Sequence, residues 1–563
     1  MNLPVGFEIC PLHSATGICE DLGFSRFPRL WRILALLLFA LALLALLGQF
    51  LVYVDYAVAL FHFPFDYDQG EGFELYDTVL HVQGQWPYQD SQVFPFYTSI
   101  YPPLFHLLTV PLIWIFGPQM WTGRVVGFAA SLVTAGAVGW GVRRASGNLT
   151  IALLSGLTFL ASNYTFHIGP LFRQHMTMVM FETLAIVALA QFDTERRQAL
   201  PARKGFWLGL IFLLCAGYTK QLALATVLAG LGYLFLRGPR RALLAGLGLT
   251  AVAGVLFLWI NLATRGWWYT SIIRANINAY DAAQALSLYK QWLSLHLVIA
   301  ALAFARLIYE TYFTRLSAYA VWFAFAFANG ALTGKFGAGE SYFVTTTAAA
   351  CVLSGIALAD WLRRHRPSGQ SRVGQPQEGQ PQGGQSQRGQ PQGLPLRRIA
   401  SGMAVPLLYL AQAYLTLHLY TDGPVYGLAA RALGVTGERG YYDSQGYTQL
   451  GPRPTRADHE AGYRIAELAR SAPGPVLAEE AGFLFVAGKP VVTNAFPQLV
   501  MYQAGLFDPA QEIEMINRKA FGLIIFRAQF YPPPVLQAIG ANYQPKTEIR
   551  MNGFLYRILE PRP

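Results

Sequence analysis

The chain has 563 residues, 53% hydrophobic and 13% charged, with a formal net charge of +11. Its apolar residues are gathered in long runs between short charged loops, which excludes a soluble globular protein and identifies an integral membrane protein. The positive balance does not signal nucleic-acid binding, because Lys and Arg sit at the ends of the apolar runs and form no basic patch with interleaved aromatics.

A hydrocarbon core about 30 Å thick needs roughly 20 apolar residues per helix. Eleven runs are near that size: 31–53, 121–142, 149–165, 171–191, 204–219, 221–236, 241–262, 292–310, 316–333, 341–361 and 399–418. The expected fold is therefore an all-α polytopic membrane domain of about 11 transmembrane helices. The first run is too long and begins too late to be a cleaved signal peptide, and acts as an anchor. Before it, residues 1–30 form a cytoplasmic tail whose Cys10, His13 and Cys19 are too sparse for a zinc site.

Orientation follows from the distribution of basic residues. Arg26, Arg29 and Arg32 precede the first run, Arg143 and Arg144 follow the second, and Arg196, Arg197, Arg203 and Lys204 join the fourth and fifth. Arg237, Arg240 and Arg241, then Arg306 and Arg315, then Arg363, Arg364, Arg366, Arg397 and Arg398 continue the series. If all of these face the cytoplasm, the N-terminus is inside and the C-terminal region outside. The apolar stretch 101-YPPLFHLLTVPLIWIFG-117 would invert the later loops if it crossed the bilayer. It is short and carries three prolines, so it is expected to lie in the outer interface, within one external loop spanning 54–120.

Two regions lie outside the membrane domain of 31–366. Residues 367–396 repeat a Gly-Gln-Pro-Gln-like unit with almost no apolar content, as expected of a disordered cytoplasmic linker before the last helix at 397–418. Residues 419–563 return to globular composition: a helix near 458–471, strands at 475–480, 490–494 and 522–527 and a helix near 509–519 predict a small extracytoplasmic α/β domain.

Charge near a membrane core marks function. The external loop holds five carboxylates in twelve residues, Asp66, Asp68, Glu71, Glu74 and Asp77. Arg173, His175, Lys220, Arg265, Arg274, Lys290, Lys335 and Glu340 fall at the same predicted end, while Glu182 sits near the middle of its run, where an interhelix hydrogen bond competes with a proton-relay role. Both signs of charge on one face suit transfer from a lipid phosphate: cations pair the phosphate while a carboxylate deprotonates an attacking hydroxyl. Glu74 and Asp77 are expected on the solvated face of an interfacial helix, opposite Phe73, Tyr76 and Leu80. Arg173, Lys220 and Lys335 have the alternative of snorkelling to headgroups, and His175 that of a plain hydrogen-bonded side chain.

The acidic loop with Glu71-Gly72, then 84-GQWPY-88, 101-YPPL-104, 116-FG-117 and 123-GR-124, resembles the first external loop of the GT-C superfamily of polytopic glycosyltransferases. Bacterial proteins similar to protein O-mannosyltransferases and to the aminoarabinose transferases of lipid A share this order. The motifs 173-RQHM-176, 219-TKQ-221 and 334-GKFGAGESYF-343 extend the likeness over about 50–360. It implies an inverting transferase that moves a sugar from a polyprenyl-phosphate donor to an extracytoplasmic glycan, lipid or protein. Glu71 and then Asp68 carry the implied base, and Lys220, Lys335 and Arg173 the implied phosphate contacts. The chain departs from the pattern at Gly70, His175 and Ser341, where relatives often have Asp, Asp and Asn, which leaves open a divalent metal held by His175 with a carboxylate. A non-catalytic scaffold subunit of a membrane complex, or a transporter or flippase of lipid-linked substrates, are the alternatives. A transporter of that kind usually shows two similar halves, and none is visible here.

Overall fold

A computed structural model describes residues 29–197, 203–364, 396–417 and 452–563. Most of the 1–30 tail and of the 367–396 linker lies outside the described residues.

Each apolar run is helical, since a chain in hydrocarbon satisfies its backbone N–H and C=O groups within the helix. By length and composition alone, fewer than eleven helices qualify as spans among the described residues. Five of these are long and apolar enough to cross a bilayer, Leu30–Phe61, Met120–Ser146, His175–Asp193, Pro239–Ala263 and Glu340–Arg364. A sixth counts only if Ala282–Leu295 and Leu297–Phe313, bent by 97°, are one span. The bend falls at His296, whose Nε2 lies 2.8 Å from Ser162 Oγ. The other runs are shorter helices, among them Leu149–Leu160, Leu224–Arg237 and Ala318–Asn329. Turns and caps interrupt them: Asn148 caps one by accepting from Ile151 N at 2.9 Å, and Ser317 another by accepting from Ala320 N at 3.2 Å.

Small residues let these helices approach closely. A Cβ on Gly156 would stand 2.7 Å from the Ala135 carbonyl oxygen, and one on Gly127 2.7 Å from that of Gly169. At one end of the bundle the arginines of the orientation argument meet: Arg363 donates to the Ser146 carbonyl at 2.8 Å, Arg306 to Asp360 at 2.6 Å and Arg237 to the Leu316 carbonyl at 2.5 Å. Asp68, Arg173 and Lys220 gather elsewhere, around the loop that joins the first two long helices.

That loop carries two helices, Glu71–Val82 and Leu104–Phe116. The second has 13 residues with Pro111 inside, in keeping with an interfacial segment. A C-terminal sheet packs over the loop in the order β1 (Val476–Ala478), β2 (Leu523–Phe526), β4 (Phe554–Pro561), β3 (Tyr543–Met551). The β1–β2 pair is parallel and the others antiparallel. The expected helices appear as Arg456–Ser471 and Ala510–Asn517. The β3–β4 hairpin was not expected: its alternation is masked by polar residues on one open face. The segment 490–494 is no strand; it makes a single bridge, Phe96 to Thr493, that ties the sheet domain to the loop.

Candidate active site

Glu71 opens the first loop helix and is wholly buried. Arg124 reaches it from the Met120–Ser146 helix, Nε donating to Oε1 at 2.9 Å and Nη2 to Oε2 at 2.7 Å. Backbone N–H groups of Phe172 and Tyr67 donate to it at 2.7 and 2.9 Å, and that of Asp68 at 3.2 Å. Arg124 spends its other hydrogens on the carbonyls of Leu60, Phe63 and Phe65. Burial alone would push the Glu71 carboxyl up, but the guanidinium and the N–H donors reverse this and hold it below the usual range. The Gly-Arg motif at 123–124 thereby acquires a reason: a Cβ at Gly123 would sit 2.2 Å from the Phe172 ring, so only glycine lets that segment close on Glu71. Gly72 is equally constrained, its missing Cβ lying 2.5 Å from the Gly482 nitrogen.

Beside this knot lies a cavity lined by Asp68, Glu74, Asp77, Arg173, His175 and Lys220, with Ser341 at its edge. Glu71 and Lys335 do not line it. Arg173 Nε donates to Asp68 Oδ2 at 2.6 Å, and Nη1 to Glu74 Oε1 at 3.2 Å. Lys220 Nζ lies 2.6 Å from His175 Nε2 and 4.9 Å from the Tyr101 ring centroid. Burial, then the Arg173 charge, takes Lys220 down to about 7. Burial likewise lifts Glu74 to about 8, against the Arg173 charge, and Asp77 to about 7. The C-terminal domain roofs the space with Glu479, Asn494, Phe496 and Phe530.

Several expectations need correction. Glu71, expected to face the cavity, lies outside its lining in a buried ion pair with Arg124. Asp68 is the loop carboxylate with access, its side chain 20% exposed against 4% for Glu74 and 0% for Glu71. Glu74 and Asp77 are not a wet helix face, because the sheet domain and the 97–106 segment cover it. Lys335 donates to the Asn276 carbonyl at 2.7 Å, away from the cavity lining. Among the described residues no carboxylate stands at bonding distance from His175; its Nε2 meets Lys220 and, at 2.9 Å, Ser341 Oγ. The departures at 175 and 341 are thus one contact. Glu182 lies apart from the cavity and accepts from Thr226 at 2.7 Å and from Thr345, the interhelix hydrogen bond that competed with a relay role. Gly70, in a left-handed conformation at φ 95°, lies against Arg173: a Cβ there would be 3.3 Å from Nη2.

Asp66 had no expected role. It accepts from Gly72 N at 2.6 Å and from Gly482 N at 2.8 Å, stapling the loop to the sheet domain, and burial, then the Glu480 charge, lift it to about 8. Glu479 and Glu480 were also missed: Glu480 pairs with Arg527 and accepts from Tyr556 at 2.8 Å. The doubled Glu at the end of a buried strand was the available signal.

Residues 97–237 match the family model of dolichyl-phosphate-mannose-protein mannosyltransferase. A comparison with curated proteins finds no match. Among solved structures, ArnT from Cupriavidus metallidurans bound to undecaprenyl phosphate is similar at TM-score 0.51 and 14% identity, over 91% of this chain and 98% of that one. Its apo state gives 0.52 and 12%, over 91% and 97%. The Archaeoglobus fulgidus oligosaccharyltransferase tethered with an acceptor peptide gives 0.45 and 12%, over 94% and 74%. The fold is thus similar to that of ArnT, in agreement with the resemblance carried by the motif order.

Proposed function

We propose that this GT-C-fold chain is an inverting glycosyltransferase that moves a sugar from a polyprenyl-phosphate donor to an acceptor outside the membrane. The observation that carries this reading is the mixed-charge cavity, in which the Asp68 carboxylate stands with two cations, Lys220 buried and Arg173 partly buried, under a second domain. The cavity holds about 200 Å³, below the roughly 300–1,000 Å³ of pockets that enclose drug-sized ligands. It suits the phosphosugar end of a donor whose prenyl chain stays in the bilayer.

In this mechanism Asp68 takes the proton from the acceptor hydroxyl as that oxygen attacks the anomeric carbon. The bond from that carbon to the phosphate oxygen breaks, and the polyprenyl phosphate leaves with the electron pair. Lys220 and Arg173 stabilise the growing charge in a partly dry site, where such pairing is worth more than in water. Glu479 and Phe530 on the roof border the acceptor's side. Carboxylates in bulk water would have favoured the scaffold alternative, whereas Asp68, Glu74 and Asp77 face an enclosed space. The decisive experiment incubates purified protein with radiolabelled polyprenyl-phosphate sugars and membrane extract. Label should pass to an extract component; no transfer from any donor sinks the reading.

Lys220 makes a pH signature. Its buried amine, down at about 7, is a cation below that pH and neutral above it. Affinity for undecaprenyl phosphate should fall by up to about tenfold per pH unit above pH 7. Lys220→Arg keeps the charge and should flatten that slope relative to the parent, the phosphate's own titration being common to both. Equal slopes by calorimetry would remove Lys220 from the phosphate contacts.

A further inference from the structure

The cavity wall behind Asp68 contains a group that sugar transfer does not use. Glu74 and Asp77, a helical turn apart, face His106 on the Leu104–Phe116 helix, and all three are buried, His106 completely. His106 Nε2 lies 3.4 Å from Glu74 Oε2 and 3.7 Å from Asp77 Oδ2. The three facing atoms lie within 4.8 Å of one another.

The imidazole tautomer follows from its other neighbour. The Thr78 hydroxyl donates its hydrogen to the Glu74 carbonyl at 2.9 Å. In its 3.1 Å contact with His106 Nδ1 it therefore accepts, and Nδ1 carries the ring hydrogen. That leaves a lone pair on Nε2, an atom buried without a hydrogen bond and aimed at two carboxylates. Three electron-rich atoms then converge on one point, which is repulsive until something positive occupies it.

We propose that Glu74, Asp77 and His106 bind a divalent metal of the zinc type, with three protein ligands and one further coordination position. Ligands at about 2.0–2.1 Å from a tetrahedral ion are about 3.3–3.4 Å apart. The 3.4 Å edge already meets this and the 3.7 Å edge needs a small shift. The supporting contacts are those a metal site requires: Thr78 fixes the imidazole tautomer, Arg173 Nη1 donates to the non-ligating Glu74 Oε1 at 3.2 Å, and the Tyr97 hydroxyl donates to Asp77 Oδ1 at 2.7 Å. Gln174 donates to Glu74 Oε2 and restrains the ligating oxygen. The site stands whether or not the cavity transfers sugar, because it is read by metal binding without a donor.

The test strips full-length protein in detergent with chelator and titrates it with cobalt chloride, then zinc chloride. One equivalent of Co²⁺ should bind with the intense visible bands of a tetrahedral ion, and Zn²⁺ should displace it. His106→Gln and Asp77→Asn should each lose that equivalent. Thr78→Val keeps every ligand but frees the tautomer, and should weaken zinc about 10–100-fold, a readout that holds even if His106→Gln fails to fold. Absence of the bands, bands unchanged in the ligand variants, or unchanged zinc affinity in Thr78→Val overturns the proposal, and a proton shared among the three groups is then the occupant.

Discussion

Asp68→Asn should slow sugar transfer about 10²–10⁴-fold, the usual contribution of a general base, while leaving undecaprenyl-phosphate affinity and thermal stability unchanged. The amide keeps an oxygen for the Arg173 Nε–H, now at 2.6 Å from Asp68 Oδ2, so the geometry survives and only the basicity is lost. Asp68 is singled out by access, since a base must reach the hydroxyl it deprotonates, and Glu74 and Asp77 are buried while the Asp68 side chain is 20% exposed. Single-turnover transfer measured with preloaded donor separates this loss from a binding defect. A variant that transfers at the parent rate removes Asp68 from the reaction.

Glu71→Gln should act through the fold. Removing one member of a buried, hydrogen-bonded ion pair leaves the other charge unpaired, at a cost of about 3–5 kcal/mol. Arg124→Met should cost at least as much, because the carbonyls of Leu60, Phe63 and Phe65 lose their donors together. Thermal unfolding in detergent should show both variants well below the parent, with transfer per folded molecule largely retained in Glu71→Gln. The sign of the pH effect follows from a carboxyl held below its ordinary value of 4.5. Its stabilisation is fully present above that pH and is lost as pH falls through the lower folded value. The parent should therefore lose stability on acidification more steeply than Glu71→Gln. A Glu71→Gln protein as stable as the parent but unable to transfer sugar would return Glu71 to the chemistry.

These two carboxylates illustrate what a linear reading conveys. Composition, run length and the placement of Arg and Lys disclosed a polytopic helical protein, and the order of weak motifs pointed to its fold, because both are properties of neighbouring residues. The same reading singled out the acidic loop, Arg173, His175 and Lys220, which the fold brings to one cavity. It ranked Glu71 above Asp68, since sequence likeness marks residues under constraint without saying whether the constraint is packing or chemistry. Partners 53 residues away at Arg124 and 101 away at Phe172 enclose the Glu71 carboxylate in buried contacts outside the cavity lining.

By itself the sequence determined the membrane class, the helical periodicity, the basic end of the bundle and the chemical types available at the other end. Only the tertiary structure decided which of those groups share a space. Burial and charge pairing depend on contacts between segments far apart in the chain: the sheet domain closing over Glu74 and Asp77, Asp66 stapled to Gly482, and His106 brought against two carboxylates by a second loop helix. Helix length was decided at the same level, because a bend at His296 and capped turns between short helices set how far each apolar run extends.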